Sequence, residues 1–220
     1  MNQSVNLISV TPGAEQAIGY CARASSPQNQ GNDASKLLRY CIKHGHWSPF
    51  EMAQMVVEIN TTRQISAQIV RHRSFAFQEF SQRYARVDLP PEMPQMRLAG
   101  ATNRQSSLTG ELSPGQKAAV ERAENLMTLL YGAYKDMVSA GIATESARAV
   151  LPMCTPTRLY MAGSIRSFLH YCQVRLMPDT QAEHRQIAEQ IAKILEQEVP
   201  VVWSAFKMHY LQPWQDQSLT

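Results

Sequence analysis

The stretch RHRSFAFQEFSQRY, residues 71–84, contains the most informative pattern in this chain of 220 residues. Arg71, His72 and Arg73 place two guanidinium groups beside an imidazole. Adjacent cationic side chains repel one another, and an anionic ligand such as a phosphate relieves that repulsion. The start of the stretch therefore indicates an anion-binding segment.

Three further polar side chains follow at every second position: Glu79, Ser81 and Arg83. In an extended segment, residues with this spacing point the same way. They would add a carboxylate, a hydroxyl and a third guanidinium, which together can hold a phosphate and read the edge of a flat polar ring. The alternative, from charge alone, is a solvated basic turn.

The composition is that of a soluble globular protein, with 44% hydrophobic and 18% charged residues. The length suits a single medium domain with a substantial core. A net charge of +3 is too small to indicate nucleic-acid binding by itself, but 15 of the 21 basic residues are arginine. Because the guanidinium fork matches carboxylates and phosphates, this bias is a weak sign of anionic ligands.

The four cysteines form no CxxC pair and do not have the spacing of metal ligands. The first residues lack the pattern of a signal peptide, and no apolar run reaches the length of a membrane span. We therefore expect a cytoplasmic protein with reduced thiols and no membrane association.

Hydrophobic periodicity and turn signals predict an α+β fold, with a small sheet and a helix-rich second half in a single domain. Strands are expected at 5–10 and 55–59. Helices are expected at 14–24, 35–44, 62–70, 114–141, 144–151, 156–176 and from a Thr180-x-x-Glu183 capping box onward. The polar, proline-containing segment 88–115 is expected to be a loop or insertion, either a functional lid or a tolerated surface loop.

The segment YCIKHGHW contains Cys41, His44 and His46, which could suggest zinc. A fourth ligand is missing and the spacing fits no common zinc site, so no metal is predicted. The same segment continues as HGHWSPFE, in which His46 could instead cap the end of the preceding helix.

The order Arg-His-Arg, seven residues, then serine resembles the signature of the flavin-dependent thymidylate synthases. HGHWSPFE resembles the second motif of that family, a His-x-Ser/Thr-Pro-x-Glu turn near the flavin. ARAVLP and SIRSFLHYCQVR match its C-terminal half, and ARAS, with Ser25, is a short further match. The resemblance runs from about Ala22 to the final helix.

This resemblance implies an enzyme that makes dTMP from dUMP. Methylenetetrahydrofolate would donate the one-carbon unit, NADPH the reducing equivalents, and tightly bound FAD the hydride, without an enzyme nucleophile. The family also implies a homotetramer with flavin sites built between protomers, so that the Arg-His-Arg turn of one chain would face Ser48 and Glu51 of another.

The resemblance assigns roles residue by residue. Arg175 would be catalytic, polarising the uracil ring. The FAD contacts would be Ser25, His46, Ser48, Glu51, Arg71, His72, Arg73, Glu79, Ser164, Arg166 and His170. The dUMP contacts would be Gln68, Arg71, Glu79, Ser81, Gln82, Arg83, Arg148 and Arg175. Ser164 departs from the family, because many relatives have asparagine there.

Two other functions compete with this interpretation. A nucleic-acid-binding protein would use the arginine cluster on phosphates, but it would need a broad basic face, and the charge here is nearly balanced. A flavin-binding protein without synthase activity is less easily excluded, and the sequence leaves it open.

Overall fold

The computed structural model describes residues 3–101, Asn103 and 107–211. The prediction of an α+β fold is confirmed. The strands are β1 (Ser4–Val10), β2 (Gln54–Thr62), β3 (Ala76–Glu79), β4 (Leu98–Ala99), β5 (Ser107–Leu108) and β6 (Pro156–Ser164). The helices are α1 (Ala14–Ala22), α2 (Ser35–Lys43), α3 (Arg63–Ile69), α4 (Pro114–Ser139), α5 (Thr144–Ala147), α6 (Ile165–Arg175), α7 (Ala182–Glu198) and α8 (Pro200–Phe206).

Two sheets organise the strands. Four of them form one sheet in the order β1-β2-β6-β3. The pair β4–β5 is antiparallel, with Leu98 opposite Leu108, and lies within the segment 88–115 that was expected to be a loop or insertion. Positions 102 and 104–106 of that segment lie outside the described residues.

The described residues form two compact units. We call the first, Gln3 with residues 60–71 and 78–159, the α4 unit. The second, residues 4–59, 72–77 and 160–211, is the α6 unit. That one synthase domain spans 1–220 and assembles as a homotetramer stays a prediction, and positions 1, 2 and 212–220 also lie outside the described residues.

The core of the α6 unit forms where α6 packs on α7 and α2 packs on α8. Side chains from these helices are fully buried, as the apolar stripe of α7 predicts: Ile187, Ile191 and Leu195 are 0% exposed. Burial of this apolar surface is the main stabilising contribution, at about 25 cal/mol per Å².

The α4 unit has a smaller core in which Val87, Tyr134, Val138 and Ala147 are buried. The Tyr134 hydroxyl accepts a hydrogen bond from the Val87 backbone N–H at 2.9 Å, which attaches the chain after the 71–84 stretch to α4. The predicted start of α4 is confirmed, since Ser113 forms a capping box with Gln116 and Pro114 occupies the first helical position.

The predicted helix over 156–176 is wrong in its first half. Residues 156–164 form β6, and only 165–175 are helical. Thr157, Leu159 and Met161 are buried at alternate positions, which is the period of a strand. Leu159, Ala162 and Ile165 happen to fit a helical stripe equally well, so periodicity alone could not separate the two structures.

Two local predictions are also wrong. No capping box forms at Thr180, because its hydroxyl donates to the Val174 carbonyl while Gln181 occupies the N-cap position. Nor does an extended segment continue to Arg83, because β3 ends at Glu79. The chain then turns, with the backbone N–H groups of residues 84 and 85 both donating to the Ser81 carbonyl.

Among the described residues, no helix is both long and apolar enough to cross a membrane. The expected cytoplasmic location stays a prediction.

Gly163 in β6 allows a close contact that supports the 71–84 stretch. A Cβ atom there would lie 2.5 Å from Cδ1 of Phe75, whose ring packs 4.9 Å from that of Phe168. Gly163→Ala should therefore force the Phe75 ring to move and lower the free energy of unfolding by about 1–3 kcal/mol. Urea denaturation would measure this change.

Gly132→Ala is the matched control, because a Cβ at that position in α4 meets no atom within 4 Å. It should raise the free energy of unfolding by about 0.5–1 kcal/mol, as expected for glycine to alanine inside a helix. Equal effects at the two positions would contradict the close contact at Gly163.

Candidate active site

A cavity of about 520 Å³ in the α6 unit brings several motifs together. Its lining consists of Trp47, Glu51, Ser74, Arg166, Ser167, His170, Gln173, Phe206 and Tyr210. Trp47 and Glu51 come from HGHWSPFE, Ser74 from the 71–84 stretch, and four more residues from SIRSFLHYCQVR. Three segments that are distant in sequence therefore line one cavity.

An ion pair connects two of these motifs within the cavity. Nη1 of Arg166 donates to Oε1 of Glu51 at 2.9 Å. Glu51 lies at the end of a 3₁₀ turn, Ser48–Glu51, and Arg166 lies in the first turn of α6. Both side chains are almost half exposed, so the pair contributes little stability by itself. The ion pair orients the Arg166 guanidinium toward the cavity.

His72 and Arg175 meet on the same unit. Nε of Arg175 donates to Nε2 of His72 at 2.9 Å. A ring nitrogen accepts a hydrogen bond only when it has no proton, so this contact requires a neutral imidazole with its proton on Nδ1. The guanidinium and the imidazole thus fix each other's orientation.

Behind His72 lies a buried pair from α6 and α7. The His72 ring meets the Tyr171 ring edge-on, with centroids 4.9 Å apart. The Tyr171 hydroxyl is hydrogen-bonded to Nε2 of His184 at 3.0 Å, and both residues are 0% exposed. Two buried aromatic side chains therefore support the imidazole that is hydrogen-bonded to Arg175.

Burial and positive charge keep both histidines neutral. Burial, followed by the charges of Arg175 and His170, lowers the pKa of His72 from 6.5 to about 4. Burial, followed by Arg175 and His72, lowers the pKa of His184 to about 3. Burial likewise raises the pKa of the Tyr171 hydroxyl far above its usual value. At neutral pH Arg175 is therefore the only charged side chain among His72, Tyr171, Arg175 and His184.

Ser164 caps α6 with the side chain that the family resemblance assigns to FAD. Its Oγ accepts from the backbone N–H of Ser167 at 3.2 Å and lies 3.2 Å from the Ser167 hydroxyl. The residue is 5% exposed. A flavin contact from this side chain stays a prediction.

In the α4 unit, Glu79 is held through one carboxylate oxygen. Oε1 accepts from Oγ of Ser66 at 2.6 Å and from Oγ1 of Thr157 at 3.0 Å, and it pairs with Nη1 of Arg63. Ser66 and Arg63 lie on α3, and Thr157 lies on β6. Two elements therefore fix the last residue of β3.

The turn after Glu79 contains the other predicted dUMP contacts. Gln82 is 8% exposed, and its Nε2 has no hydrogen-bond partner among the described residues. Nε of Arg83 donates to Oε2 of Glu145 at 2.7 Å, and Nε of Arg148 donates to the Glu145 carbonyl at 3.3 Å. Glu145 thus brings Arg83 and Arg148 together.

The remaining predicted residues differ in their surroundings. The Arg71, Arg73, Ser48 and Ser81 side chains are exposed. Gln68 is partly buried in the last turn of α3, and its carbonyl accepts from the backbone N–H of residue 71. Ser25 lines a separate cavity of about 570 Å³ in the α6 unit, apart from the motif-lined one.

His46 lies just beyond α2, where Gly45 has a φ of 68°. The helix end is capped by backbone, since the His46 N–H donates to the Cys41 carbonyl at 2.8 Å. The His46 ring meets the Tyr40 ring edge-on, with centroids 5.7 Å apart. Among the described residues, no group of three or more His, Cys, Asp or Glu side chains could hold a metal ion.

Sequence reasoning missed Tyr171, His184, Glu145 and Trp47. His184 lies three residues before Ile187, on the buried face of α7. A histidine among the apolar residues of that face is the sequence signal that could have identified it. The partnership of Glu145 with Arg83 spans 62 residues, and no local pattern encodes it.

Comparison with known proteins agrees with the motifs. A family model described as thymidylate synthase complementing protein matches residues 6–201. A probable flavin-dependent thymidylate synthase of Paramecium bursaria Chlorella virus 1 is 44% identical over 211 residues, covering 92% of this chain and 98% of the relative. The chain belongs to the family of flavin-dependent thymidylate synthases.

A second relative, the flavin-dependent thymidylate synthase of Synechocystis, is 44% identical over 88% of this chain and 89% of its own length. Among solved structures, the UMP/dUMP methylase PolB from Streptomyces cacaoi, bound with 5-Br dUMP, superposes with a TM-score of 0.83 at 25% identity. The match covers 95% of this chain and 96% of PolB. The family and the enzyme class predicted from the motifs are therefore confirmed.

The neutral histidines predict a loss of stability in acid. Below pH 6.5 the unfolded chain binds protons at His72 and His184 that the folded chain does not bind until the pH nears 4 and 3. The free energy of unfolding should therefore fall as the pH drops from 7 to 5. His184 alone should contribute up to about 2 kcal/mol of this loss.

Urea denaturation of the wild type and of His184→Asn at both pH values would measure that contribution. His184→Asn should be less stable at pH 7 but should lose less on acidification. His44→Asn, which removes an exposed histidine ring, is the matched control variant. An unchanged acid loss in His184→Asn would show that His184 is not held neutral.

Proposed function

We propose that this protein converts dUMP to dTMP, using bound FAD, methylenetetrahydrofolate as carbon donor and NADPH as the source of reducing equivalents. The observation that supports this function most is the cavity of about 520 Å³, which side chains of three family motifs line together. A solvated basic turn without a ligand would not require three distant segments of the chain to line one cavity.

The residues of this cavity fit a flavin nucleotide. Arg166 and His170 offer guanidinium and imidazole donors for a pyrophosphate, and Trp47, Phe206 and Tyr210 offer aromatic surface for a ring system. When bound, FAD supplies the hydride, and the protein binds, orients and polarises. Glu51 fixes Arg166 through their ion pair.

The other flavin contacts are proposed from the family motifs: Ser25, His46, Ser48, Arg71, His72, Arg73, Glu79 and Ser164. We also propose a homotetramer in which the Arg-His-Arg turn of one protomer faces Ser48 and Glu51 of another. The exposed Arg71, Arg73 and Ser48 side chains are compatible with such shared sites.

The dUMP contacts are also proposed from the family motifs. Ser81, Gln82 and Arg83 would hold the phosphate and sugar, with Gln68, Arg71, Glu79, Arg148 and Arg175 as further contacts. The buried and unpartnered Nε2 of Gln82 supports this assignment, because a buried amide without a hydrogen bond is costly until a ligand supplies one.

Arg175 is proposed to activate the uracil. Its Nε is committed to His72, so its Nη groups remain to face a ligand as a planar pair of donors. A guanidinium beside the ring favours the ionised form of the uracil and so polarises it for attack. The neutral His72 is essential here, because a protonated imidazole would both lose the hydrogen bond and repel the guanidinium.

An enzyme nucleophile is not required by this proposal. Burial raises the pKa of the Cys41, Cys154 and Cys172 thiols, which disfavours the thiolate that attacks carbon. Cys21 is exposed and belongs to none of the polar motifs.

The function is tested by incubating the purified protein with dUMP, methylenetetrahydrofolate and NADPH and measuring dTMP. We expect dTMP only when all three are present, and we expect each single cysteine-to-alanine variant to retain substantial dTMP synthesis. Flavin binding without dTMP would favour the non-synthase alternative. A folded, flavin-loaded cysteine variant without turnover would contradict the nucleophile-free mechanism.

Arg175→Ala should separate uracil activation from flavin chemistry. Reduction of the bound flavin by NADPH should persist, because that step does not involve the uracil. The dUMP-dependent anaerobic reoxidation with folate present should fall by about two or more orders of magnitude, the usual size for deleting one preorganised donor. Arg175→Lys should recover little, because an ammonium lacks the planar fork.

Both rates should be measured on one preparation, so that flavin content is common to them. A parallel fall of flavin reduction and reoxidation in Arg175→Ala would place Arg175 in the flavin site and contradict its role as activator.

A further inference from the structure

We infer that Ser66 and Thr157 are positioning residues that hold Glu79 so that its second oxygen, Oε2, receives a hydrogen-bond donor from the nucleotide. The inference rests on the proposed function and extends it to two residues outside the family motifs. It arises from the asymmetry of the Glu79 carboxylate, whose partners all contact one oxygen.

Three donors converge on Oε1: the Ser66 hydroxyl at 2.6 Å, the Thr157 hydroxyl at 3.0 Å and the Arg63 guanidinium. No hydrogen bond reaches Oε2 from the described residues. A carboxylate has roughly four acceptor positions, so one whole oxygen is left for a ligand. The Glu79 side chain is 22% exposed, which leaves it accessible.

The two hydroxyls are themselves buried and directed at the carboxylate. Ser66 is 1% exposed and Thr157 is 5% exposed. A serine inside a helix often points to solvent or donates to the carbonyl four residues earlier. Ser66 instead donates from α3 to Glu79, at a distance typical of a strong charge-assisted hydrogen bond.

Because of the place of Glu79 in the chain, its hydrogen bonds also position the residues that follow it. Glu79 is the last residue of β3, and the next residues form the turn closed on the Ser81 carbonyl. Fixing Glu79 from α3 and β6 therefore also fixes the start of the turn that contains Gln82, whose buried Nε2 lacks a partner. One free acceptor and one free donor, three residues apart, are the complement of a ligand that presents both.

The ligand group that faces Oε2 must be an O–H or N–H donor. In dUMP the two candidates are the sugar 3′-hydroxyl and the N3–H of the ring. Either would make a hydrogen bond to a charged acceptor whose strength depends on the orientation that Ser66 and Thr157 impose.

The test uses the flavin-loaded protein and equilibrium binding of labelled dUMP. Thr157→Val removes the hydroxyl while keeping the shape, and we expect dUMP to bind about three- to tenfold more weakly, since 1.4 kcal/mol is tenfold. At saturating dUMP, kcat should stay within about twofold of the wild type. Thr157→Ser, which keeps the hydroxyl, should restore binding.

Thr155→Val is the matched control. Thr155 is also buried at 0% exposure and lies two residues away, but its hydroxyl donates to the Pro152 carbonyl at 2.6 Å. We expect it to bind dUMP as the wild type does. Ser66→Ala provides a second, independent removal of a donor from Oε1, so the inference remains testable if Thr157→Val fails to fold.

Wild-type affinity in Thr157→Val or in Ser66→Ala would overturn the inference, and so would equal weakening in Thr155→Val. A wild-type protein that does not bind dUMP would instead refute the proposed function itself. Repeating the binding with 3′-deoxy-dUMP identifies the donor. A Thr157→Val effect that disappears with this analogue supports the sugar hydroxyl at Oε2, and one that persists supports the ring N–H there.

Discussion

The hydrogen bond from Nε of Arg175 to Nε2 of His72 is the contact on which the proposed chemistry depends. It exists only while the imidazole is neutral, because a protonated ring offers no acceptor. Burial against Tyr171 and the charge of Arg175 itself both disfavour protonation of His72. The guanidinium therefore helps to maintain the neutral partner that orients it, and the fully buried His184–Tyr171 pair keeps that partner in place.

The side chains proposed to contact ligands are held in the same way in both units. In the α6 unit Glu51 orients Arg166 toward the cavity, and in the α4 unit Ser66, Thr157 and Arg63 orient Glu79. In each case a charged group is held through one of its atoms while another remains accessible. Holding a side chain before the ligand arrives reduces the entropy lost on binding, which favours affinity and correct geometry.

The sequence predicts the motif residues because they follow one another at fixed spacings along the chain. The partners that orient them lie far away in the sequence, and no local pattern predicts these partners. The start of α4 and the buried stripe of α7 follow from local capping and periodicity. The apolar residues of β6 satisfy the helical and the strand period, so periodicity alone does not predict the strand, and pairing with β2 and β3 decides the outcome. The contacts of Glu79 with Thr157 and of Arg166 with Glu51 span 78 and 115 residues, so only the fold could reveal them.

The protonation state of His72 tests this account most directly. Nitrogen-15 NMR of the histidine rings across pH 3.5 to 8 would report both the tautomer and the pKa. At pH 7 we expect His72 to have its proton on Nδ1 and an unprotonated Nε2, and we expect its pKa to be about 4. A proton on Nε2 at pH 7, or a His72 pKa near 6.5, would contradict the contact that orients Arg175.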